Sequence, residues 1–248
     1  MSKIILITGA SRGIGRETAR LAGQRGWRVG VNYTADEAAA RSCVELVKQA
    51  GGEAIAVRSD VSSEMDVLAM FDVIQERFGG LDGLVNNAGI TGASLQLADM
   101  PADRMKRMFD VNVFGAFLCA REAARRMSTT RGGRGGVIVN VSSIAARLGS
   151  PNEYIDYAAS KGAIDTMTIG LAKELGPQGV RVNVVRPGLT LTDIHASGGD
   201  PDRANRLGVT TPMGRAGEPA EIAAGIIWLL SDEASYASGA ILDISGAR

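Results

Sequence analysis

Short apolar runs rich in β-branched residues alternate along this chain with longer segments in which apolar residues recur every three or four positions. The short runs predict strands that are buried on both faces of a sheet, and the longer segments predict amphipathic helices. The predicted strands are residues 4–8, 28–33, 54–58, 83–86, 137–142, 181–185 and 241–244. The predicted helices are residues 14–25, 35–50, 64–78, 101–127, 157–175 and 219–230.

This order of elements predicts an α/β fold of the Rossmann type. Strands that alternate with helices are joined by right-handed crossovers, which build a doubly wound parallel sheet with helices on both faces. We expect a single domain over residues 1–248 that contains a sheet of seven strands. The longest irregular segment, residues 189–213, is predicted to be a substrate lid, because long loops in compact domains are usually functional or disordered.

Local signals mark several helix ends. Thr34 and Glu37 have the spacing of a capping box, and Pro219 suits the first position of a helix. Gly51 and Gly176 stand where the end of a helix would require a positive φ angle.

The composition of the chain disfavours several classes of function. Lys plus Arg and Asp plus Glu number 27 each, so the formal net charge is zero and no overall field attracts nucleic acid or an anionic membrane. No apolar run reaches the length of a membrane-spanning helix, and the run at the start is too short for a signal peptide. Cys43 and Cys119 match no metal-binding spacing. We therefore expect a cytoplasmic protein with no metal site and no nucleic-acid or membrane partner.

A glycine-rich turn, TGASRGIG at residues 8–15, joins the first predicted strand to the first predicted helix. Gly9, Gly13 and Gly15 lack the Cβ atom that would obstruct a sharp turn or the approach of a pyrophosphate. The free N–H groups and the dipole of the following helix favour an anion at this point. An ordinary tight turn is the alternative, and the position between strand and helix disfavours it. The spacing differs from the Gly-x-Gly-x-x-Gly fingerprint.

Tyr157 and Lys161 are four residues apart, which places both side chains on one face of a helix. A unit charge about 4 Å away, at an effective dielectric of about 20, is worth about 4 kcal/mol, or about three pKa units. We therefore expect the Lys161 ammonium to lower the pKa of the Tyr157 phenol from its usual value of about 10 towards neutrality. By itself this spacing is also that of an ordinary surface pair.

Several motifs, taken together and in order, resemble those of the short-chain dehydrogenase/reductase family over nearly the whole chain. They are residues 8–15, 86–89, Asn112, 141–143, Tyr157 with Lys161, and 187–192. The chain is similar in particular to bacterial 3-oxoacyl-carrier-protein reductases and glucose-1-dehydrogenase-like members. The resemblance implies an enzyme that interconverts a carbonyl and an alcohol by hydride transfer. A non-catalytic nucleotide-binding or scaffold protein with the same fold is the alternative.

The resemblance also implies the catalytic roles. Ser143 or Ser142 would hydrogen-bond the substrate oxygen, and Ser143 is preferred because it is nearer to Tyr157. Tyr157 would act as the general acid or base, and Lys161 would lower its pKa and bind the nicotinamide ribose. Asn112 would hold a water molecule that relays protons through Lys161. The distance from Ser143 to Tyr157 is about one residue longer than usual, which predicts an insertion within residues 144–156.

The cofactor contacts that the resemblance implies extend along the whole chain. Asp60 and Val61 would bind the adenine, residues 87–89 would line the adenosine ribose, and Thr192 would contact the nicotinamide carboxamide. The predicted set is Gly9, Ser11, Arg12, Gly13, Ile14, Gly15, Asn32, Thr34, Asp60, Val61, Asn87, Ala88, Gly89, Tyr157, Lys161, Pro187, Gly188, Thr190 and Thr192.

The end of the second predicted strand favours NADP(H) over NAD(H). An acidic residue there normally binds the free 2′-hydroxyl of NAD, and this strand has none at its tip. Arg12 is placed to pair with a 2′-phosphate, aided by Asn32 and Thr34. Asp36 and Glu37 are assigned instead to the first turn of the next helix, where carboxylates suit the helix dipole.

Several conspicuous residues are given no catalytic role. Tyr154 has no lysine four residues later, so we expect a pocket or packing role, and His195 is interpreted as a bystander in the lid. Trp228 is assigned to the core or to a subunit interface. Arg121, Arg125, Arg126, Arg131 and Arg134 are interpreted as a solvated helix end rather than a docking site. Small residues along the helix from Tyr157 favour close helix packing and, with the resemblance, a homo-oligomer, either a dimer or a homotetramer.

Overall fold

The computed structural model describes residues 2–248 and contains one sheet of seven parallel strands. The strands are β1 (Ile4–Ile7), β2 (Arg28–Tyr33), β3 (Glu53–Arg58), β4 (Gly83–Asn86), β5 (Gly136–Val141), β6 (Val180–Pro187) and β7 (Ile241–Ile244). Their order across the sheet is β3-β2-β1-β4-β5-β6-β7, and each neighbouring pair is parallel. The predicted α/β fold with a doubly wound sheet is confirmed.

Helices cover both faces of this sheet. They are α1 (Gly13–Gln24), α2 (Glu37–Gln49), α3 (Glu64–Phe78), α4 (Ala102–Phe109), α5 (Gly115–Met127), α6 (Ala145–Leu148), α7 (Ile155–Leu175), α8 (Ile194–Ser197), α9 (Arg203–Gly208) and α10 (Pro219–Leu230). Because side chains alternate along a strand, Ile5 and Ile7 pack in the core with α1, α2 and α10, whereas Ile4 and Leu6 pack in the core with α3, α5 and α7. Among residues 2–248, no helix combines the length and the apolar character needed to cross a membrane.

The strand order places a crevice at the carboxyl ends of β1 and β4. From β1 the chain builds outwards to β2 and β3, then returns to the other side of β1 with β4. The connections after β1 and β4 therefore separate, and ligands of open α/β sheets bind in the crevice that this reversal creates.

The predicted helix over residues 101–127 is wrong in one respect, because the structure divides it. A π-helical turn, Asp110–Phe114, lies between α4 and α5, and Asn112 is in this turn. The apolar periodicity is almost unchanged by one widened turn, so the sequence pattern does not report it. Such turns are frequent at functional sites.

The capping box predicted at Thr34 and Glu37 is also corrected. Asp36, not Thr34, caps α2, because its carboxylate accepts a hydrogen bond from the N–H of Ala39 at 2.9 Å. A capping box does occur, but between Glu218 and Glu221 at the start of α10.

The predictions for Pro219 and Gly51 are confirmed: Pro219 opens α10, and Gly51 has a φ angle of 103°. Gly176 has a helical φ of −53°, because the chain continues through a 3₁₀ turn. The left-handed residue is Gly179, with φ 75°.

Three short helices lie in segments without a predicted helix. Helix α6 is within the expected insertion at residues 144–156, and α8 and α9 are within the 189–213 segment. Each is too short for apolar periodicity to be recognised in the sequence. All three border the crevice at the carboxyl ends of the strands.

Candidate active site

A cleft of about 820 Å³ opens at the carboxyl ends of the strands and is lined by the glycine turn, by the loops after β3, β4 and β5, and by residues of α7 and the 189–213 segment. Most of the predicted cofactor residues line it, as do the predicted catalytic residues Ser143, Tyr157 and Lys161. Gly15, Asn32 and Asn112 are the predicted site residues that lie behind its wall. The sequence motifs, which are far apart along the chain, are therefore brought to one cavity.

The glycine turn has the geometry that a pyrophosphate needs. Gly9 and Gly13 have φ angles of 62° and 57°, which residues other than glycine rarely adopt. A Cβ atom on Gly15 would lie 2.7 Å from both the Asn87 side chain and the Gly9 carbonyl oxygen. Arg12 provides no side-chain cap for α1, and no acidic residue is in its first turn. The first N–H groups of α1 are therefore free to bind an anion, and the phosphates of a dinucleotide fit this place.

Asn32 shapes the glycine turn instead of facing the cleft. Its Oδ1 accepts a hydrogen bond from the Gly9 N–H at 3.0 Å, and its Nδ2 donates to the carbonyl oxygens of Ser59 (3.1 Å) and Val57 (3.3 Å). The side chain is buried and its amide is fully used. Asn32 therefore has no free polar atom for the predicted contact with a 2′-phosphate. Its hydrogen bonds instead link the carboxyl ends of β1, β2 and β3.

Thr8 and Asn87 join the ends of β1 and β4. The Thr8 hydroxyl accepts hydrogen bonds from the N–H groups of Asn87 and Ala88, both at 2.9 Å. In return, Asn87 Nδ2 donates to the carbonyl oxygens of Thr8 (2.8 Å) and Gly9 (3.1 Å). These bonds fix the two loops that face each other across the crevice.

Asp60 presents an ionised carboxylate beside the cleft. Its Oδ1 accepts hydrogen bonds from the backbone N–H (2.9 Å) and hydroxyl (2.7 Å) of Ser62, and its Oδ2 pairs with Arg107 at 3.3 Å. Burial by itself raises the pKa of Asp60, but these bonds together hold it below its usual value. A charged acceptor at this position suits the amino group of an adenine.

Tyr157 and Lys161 lie one turn apart on α7, and both line the cleft. The Lys161 Nζ is 5.7 Å from the centroid of the Tyr157 ring and donates a hydrogen bond to the Val141 carbonyl oxygen at 2.9 Å. The Ser142 hydroxyl is buried and donates to the Lys161 carbonyl oxygen at 3.0 Å. The Ser143 hydroxyl instead accepts a hydrogen bond from the Ala145 N–H at 3.1 Å, and Ser143 lines the cleft together with Tyr157. This orientation favours Ser143 over Ser142 as the residue that meets a substrate.

The expected lowering of the Tyr157 pKa is not found in this structure. Burial raises the pKa of Tyr157, and the nearby Ser143 hydroxyl only partly opposes that effect. Burial also lowers the pKa of Lys161 to about 8, against the attraction of Asp165. The prediction included the attraction between the Lys161 charge and a phenolate, but it omitted the free-energy cost of burying that phenolate away from water. At neutral pH, Tyr157 is a neutral phenol that is able to donate a proton.

Asn112 connects the π-helical turn to the loop after β4. Its Oδ1 accepts a hydrogen bond from the Ile90 N–H at 2.8 Å, and its Nδ2 donates to the Ile90 carbonyl oxygen (2.9 Å) and the Ser160 hydroxyl (3.1 Å). A Cβ atom on Gly89 would lie 3.3 Å from both Asn112 Oδ1 and Lys161 Nζ, so these groups are neighbours. These hydrogen bonds fix the Asn112 side chain between the loop after β4 and α7. Its role in a proton relay stays a prediction.

Residues that the sequence analysis set aside, or missed, also line the cleft. Tyr154 packs edge-on against Tyr157, with 6.2 Å between the ring centroids. The Nε2 atom of His195 lies 3.0 Å from the Thr190 carbonyl oxygen, and burial lowers the pKa of this histidine. Glu153 and Arg203 carried no sequence signal, because neither belongs to a motif and 50 residues separate them.

The arginines late in α5 are engaged within the chain. Arg121, Arg125 and Arg126 all pair with Glu122, whose side chain is buried. These ion pairs hold the three arginines against α5, and the absence of a docking role stays a prediction. Trp228 is 41% exposed, so its assignment to the core is wrong and an interface role stays a prediction.

A doubly wound sheet whose cleft is lined by both a glycine turn and a Ser–Tyr–Lys group is typical of a nicotinamide-dependent oxidoreductase. Comparison with known proteins agrees. The profile of the family described as "Enoyl-(Acyl carrier protein) reductase" matches residues 9–246. A protein of Escherichia coli (strain K12) named "Uncharacterized oxidoreductase YgfF" is 51% identical over 245 residues, which cover 99% of each chain. Glucose 1-dehydrogenase 2 of Bacillus subtilis (strain 168) is 36% identical over 98% of this chain and 93% of that relative.

Solved structures agree with these relatives. The crystal structure of 3-ketoacyl-(acyl-carrier-protein) reductase from Brucella melitensis, complexed with NADH, superimposes with a TM-score of 0.91 at 32% identity, over 99% of this chain and 98% of that one. The chain therefore belongs to the short-chain dehydrogenase/reductase family and is an NAD(P)-dependent dehydrogenase or reductase.

Proposed function

We propose that this protein is an NADP(H)-dependent oxidoreductase that interconverts a carbonyl and an alcohol, with Tyr157 as the general acid in reduction and the general base in oxidation. The observation that carries the proposal is that Ser143, Tyr157 and Lys161 line one cleft together with the glycine turn. The proposal includes a single domain, a substrate lid at residues 189–213 and a cytoplasmic location.

Each residue of the group has a distinct task in this reaction. Ser143 donates a hydrogen bond to the carbonyl oxygen and so polarises the double bond. The nicotinamide, when bound, supplies the hydride that adds to the carbonyl carbon. Tyr157 donates its phenolic proton to the oxygen, and the C–OH group is complete. The Lys161 ammonium stabilises the phenolate that remains, and it binds the hydroxyl groups of the nicotinamide ribose.

The decisive measurement is carbonyl reduction, followed by the absorbance of the reduced nicotinamide, in Tyr157→Phe and the matched control Tyr154→Phe. Loss of a general acid lowers kcat by about 10²–10⁴-fold. We expect that loss in Tyr157→Phe with cofactor affinity largely retained, and only a modest change in Tyr154→Phe. Turnover at the level of the unmodified protein in Tyr157→Phe would contradict the mechanism.

The preference for NADP(H) rests on Arg12. Its guanidinium is exposed at the wall of the cleft and makes no hydrogen bond or ion pair with residues 2–248. The carboxylate of Asp36, the nearest acid after β2, is engaged in capping α2. A 2′-phosphate would therefore find an unpaired cation, and guanidinium groups bind phosphate well. Arg12→Ala is expected to raise the KM for NADPH at least about tenfold and to leave that for NADH nearly unchanged. An unmodified protein that prefers NADH tenfold refutes the assignment.

The proposal also includes a homotetramer. Phe114 and Phe117 on the outside of the π-helical turn and α5 are about half exposed, and Ile169 on α7 is 40% exposed. Cβ atoms on Gly162 and Gly170 of α7 would meet nothing within 4 Å. These apolar groups and small residues form a surface onto which the helices of a second copy are able to pack.

A further inference from the structure

The cleft is also lined by side chains that belong to no sequence motif and come from two segments of the chain. Glu153 and Tyr154 come from the end of the 144–156 segment, and His195 and Arg203 come from the 189–213 segment. Arg203 Nη2 donates a hydrogen bond to Glu153 Oε2 at 2.7 Å, and its guanidinium lies 5.0 Å from the centroid of the Tyr154 ring. The Glu153–Arg203 pair therefore packs against Tyr154 through Arg203, and the Tyr154 ring packs edge-on against the ring of Tyr157.

Charge in this part of the cleft is balanced. Arg203 is neutralised by Glu153, and Asp200 is neutralised by Arg206. Burial lowers the pKa of His195, so its imidazole is neutral at pH 7. Besides Lys161 of the reaction centre, the buried cation that lines this part of the cleft is Arg203, and it is already paired with Glu153. These side chains therefore favour a substrate without a net charge.

The same side chains keep several hydrogen-bonding atoms free. Arg203 has five N–H donors, of which the protein uses one, and its side chain is only 11% exposed. Within the described residues, Glu153 Oε1 and the Tyr154 hydroxyl make no hydrogen bond. Within residues 2–248, fully enclosed side-chain atoms without a partner occur only in Ser59, Asn140 and Asp165. The unused polar atoms of Arg203 and Glu153 therefore keep some accessible surface, and both residues line the cleft. Donors and acceptors are thus presented side by side.

An apolar substrate is a poor match for this surface. It would displace the water from a half-buried ion pair without replacing the hydrogen bonds, and a buried polar group left without a partner costs about 1–3 kcal/mol. Hydroxyl groups both donate and accept, so neighbouring hydroxyls are able to satisfy a guanidinium and a carboxylate together.

We propose that the substrate is a neutral, polyhydroxylated carbonyl compound of the aldose or ketose type, whose hydroxyls next to the reacting carbon bind Arg203 and Glu153. This inference rests on the proposed carbonyl–alcohol oxidoreductase function, and it adds the substrate class and two specificity-determining residues to it. The ring nitrogen of His195 that does not face the Thr190 carbonyl oxygen supplies a further hydrogen bond to the same hydroxyls.

A substrate panel tests the class. The intact protein is assayed in both directions, with both nicotinamide cofactors, on aldoses and ketoses, their deoxy analogues, 2-oxo acids, an apolar cyclic ketone and a 3-oxoacyl thioester. We expect kcat/KM to be highest for a polyhydroxylated compound and to fall at least about tenfold for each adjacent hydroxyl removed. If the apolar ketone, the oxo acid or the thioester is turned over best, the substrate class is overturned while the oxidoreductase function stands. If the whole panel, measured against Tyr157→Phe, gives no turnover, both are overturned.

Arg203→Met, Glu153→Gln and their combination test the two residues. We expect Arg203→Met to raise the KM for the hydroxylated substrate about ten- to a hundredfold with little change in kcat, and to leave the constants for the apolar ketone unchanged. The effects of the two changes should be non-additive, because the residues act as a pair. Arg215→Met is the matched control, since Arg215 pairs with Glu221 on the surface away from the cleft.

A merely structural role for the pair has a different outcome. If Arg203 only fastens the 189–213 segment, the variant will lose activity on hydroxylated and apolar substrates by the same factor, and this result would overturn the assignment. Thermal melting of each variant distinguishes such losses from unfolding.

Discussion

Asp165 is predicted to keep Lys161 protonated at neutral pH. It lies one turn after Lys161 on α7, and both side chains are buried. Its Oδ2 accepts hydrogen bonds from Arg186 Nε (3.0 Å) and Nη2 (2.8 Å), whereas its Oδ1 is enclosed and has no partner. Burial lowers the pKa of Lys161 to about 8, and the charge of Asp165 opposes that effect. Without Asp165 the lysine would lose its proton more readily.

The size of the effect follows from the helix geometry. Side chains four residues apart are about 6 Å from each other, and two unit charges at that distance and an effective dielectric of about 20 interact by about 3 kcal/mol. This corresponds to about 2 pKa units, and screening by solvent reduces it to about 1–2 units. Asp165→Asn should thus lower the pKa of Lys161 from about 8 to about 6–7. The protonated fraction at pH 7 then falls from about nine-tenths to about one-half or less.

The assay is kcat/KM for carbonyl reduction as a function of pH at saturating NADPH. Reduction needs the charged form of Lys161, so activity is lost as the pH rises through its pKa. In Asp165→Asn this alkaline limb should move to lower pH by about 1–2 units, and activity should recover near pH 6.

Glu122→Gln is the matched control for this experiment. It also removes a buried carboxylate from arginine partners, but away from the cleft. This variant should leave the alkaline limb unchanged. An alkaline limb at the same pH in Asp165→Asn and in the unmodified protein, with both proteins folded by thermal melting, would refute the electrostatic reasoning.

Three further predictions concern the glycine turn, the stability of the fold and the subunit interface. Gly15→Ala places a Cβ atom 2.7 Å from neighbouring atoms, so titration should show cofactor affinity reduced at least about tenfold, whereas Gly176→Ala, which has open space, should bind normally. Glu122→Gln should lower the unfolding free energy by about 1–3 kcal/mol in urea at neutral pH. The pKa of Glu122 is held below its usual value, so this deficit should shrink as the pH falls through that pKa, and a constant deficit would contradict the assignment. Phe114→Glu with Phe117→Glu should reduce the molar mass by light scattering, and an unchanged mass would exclude this surface as the interface.

The local features of this protein could be predicted from its sequence because short-range physics controls them. Apolar periodicity identified all seven strands, since parallel strands are buried on both faces. The glycine turn was predicted because a turn between strand and helix at Gly9 and Gly13 requires backbone without a Cβ atom. The spacing of Tyr157 and Lys161 placed both on one helix face, and the structure has them on α7.

Features that depend on contacts between distant segments were decided only by the tertiary structure. Ser142 and Ser143 are equivalent in sequence, and the packing of β5 against α7 turns the first towards Lys161 and leaves the second beside Tyr157. The pKa of Tyr157 depends on how deeply the surrounding segments bury it, which no spacing reports.

The Glu153–Arg203 pair and the role of Asn32 belong to the same category. The first joins two loops 50 residues apart, and the second depends on three strands ending at one level. Sequence periodicity and spacing report on neighbours within a few turns of chain, whereas burial and hydrogen-bond partners in a cleft are set by whichever segments the sheet order brings together.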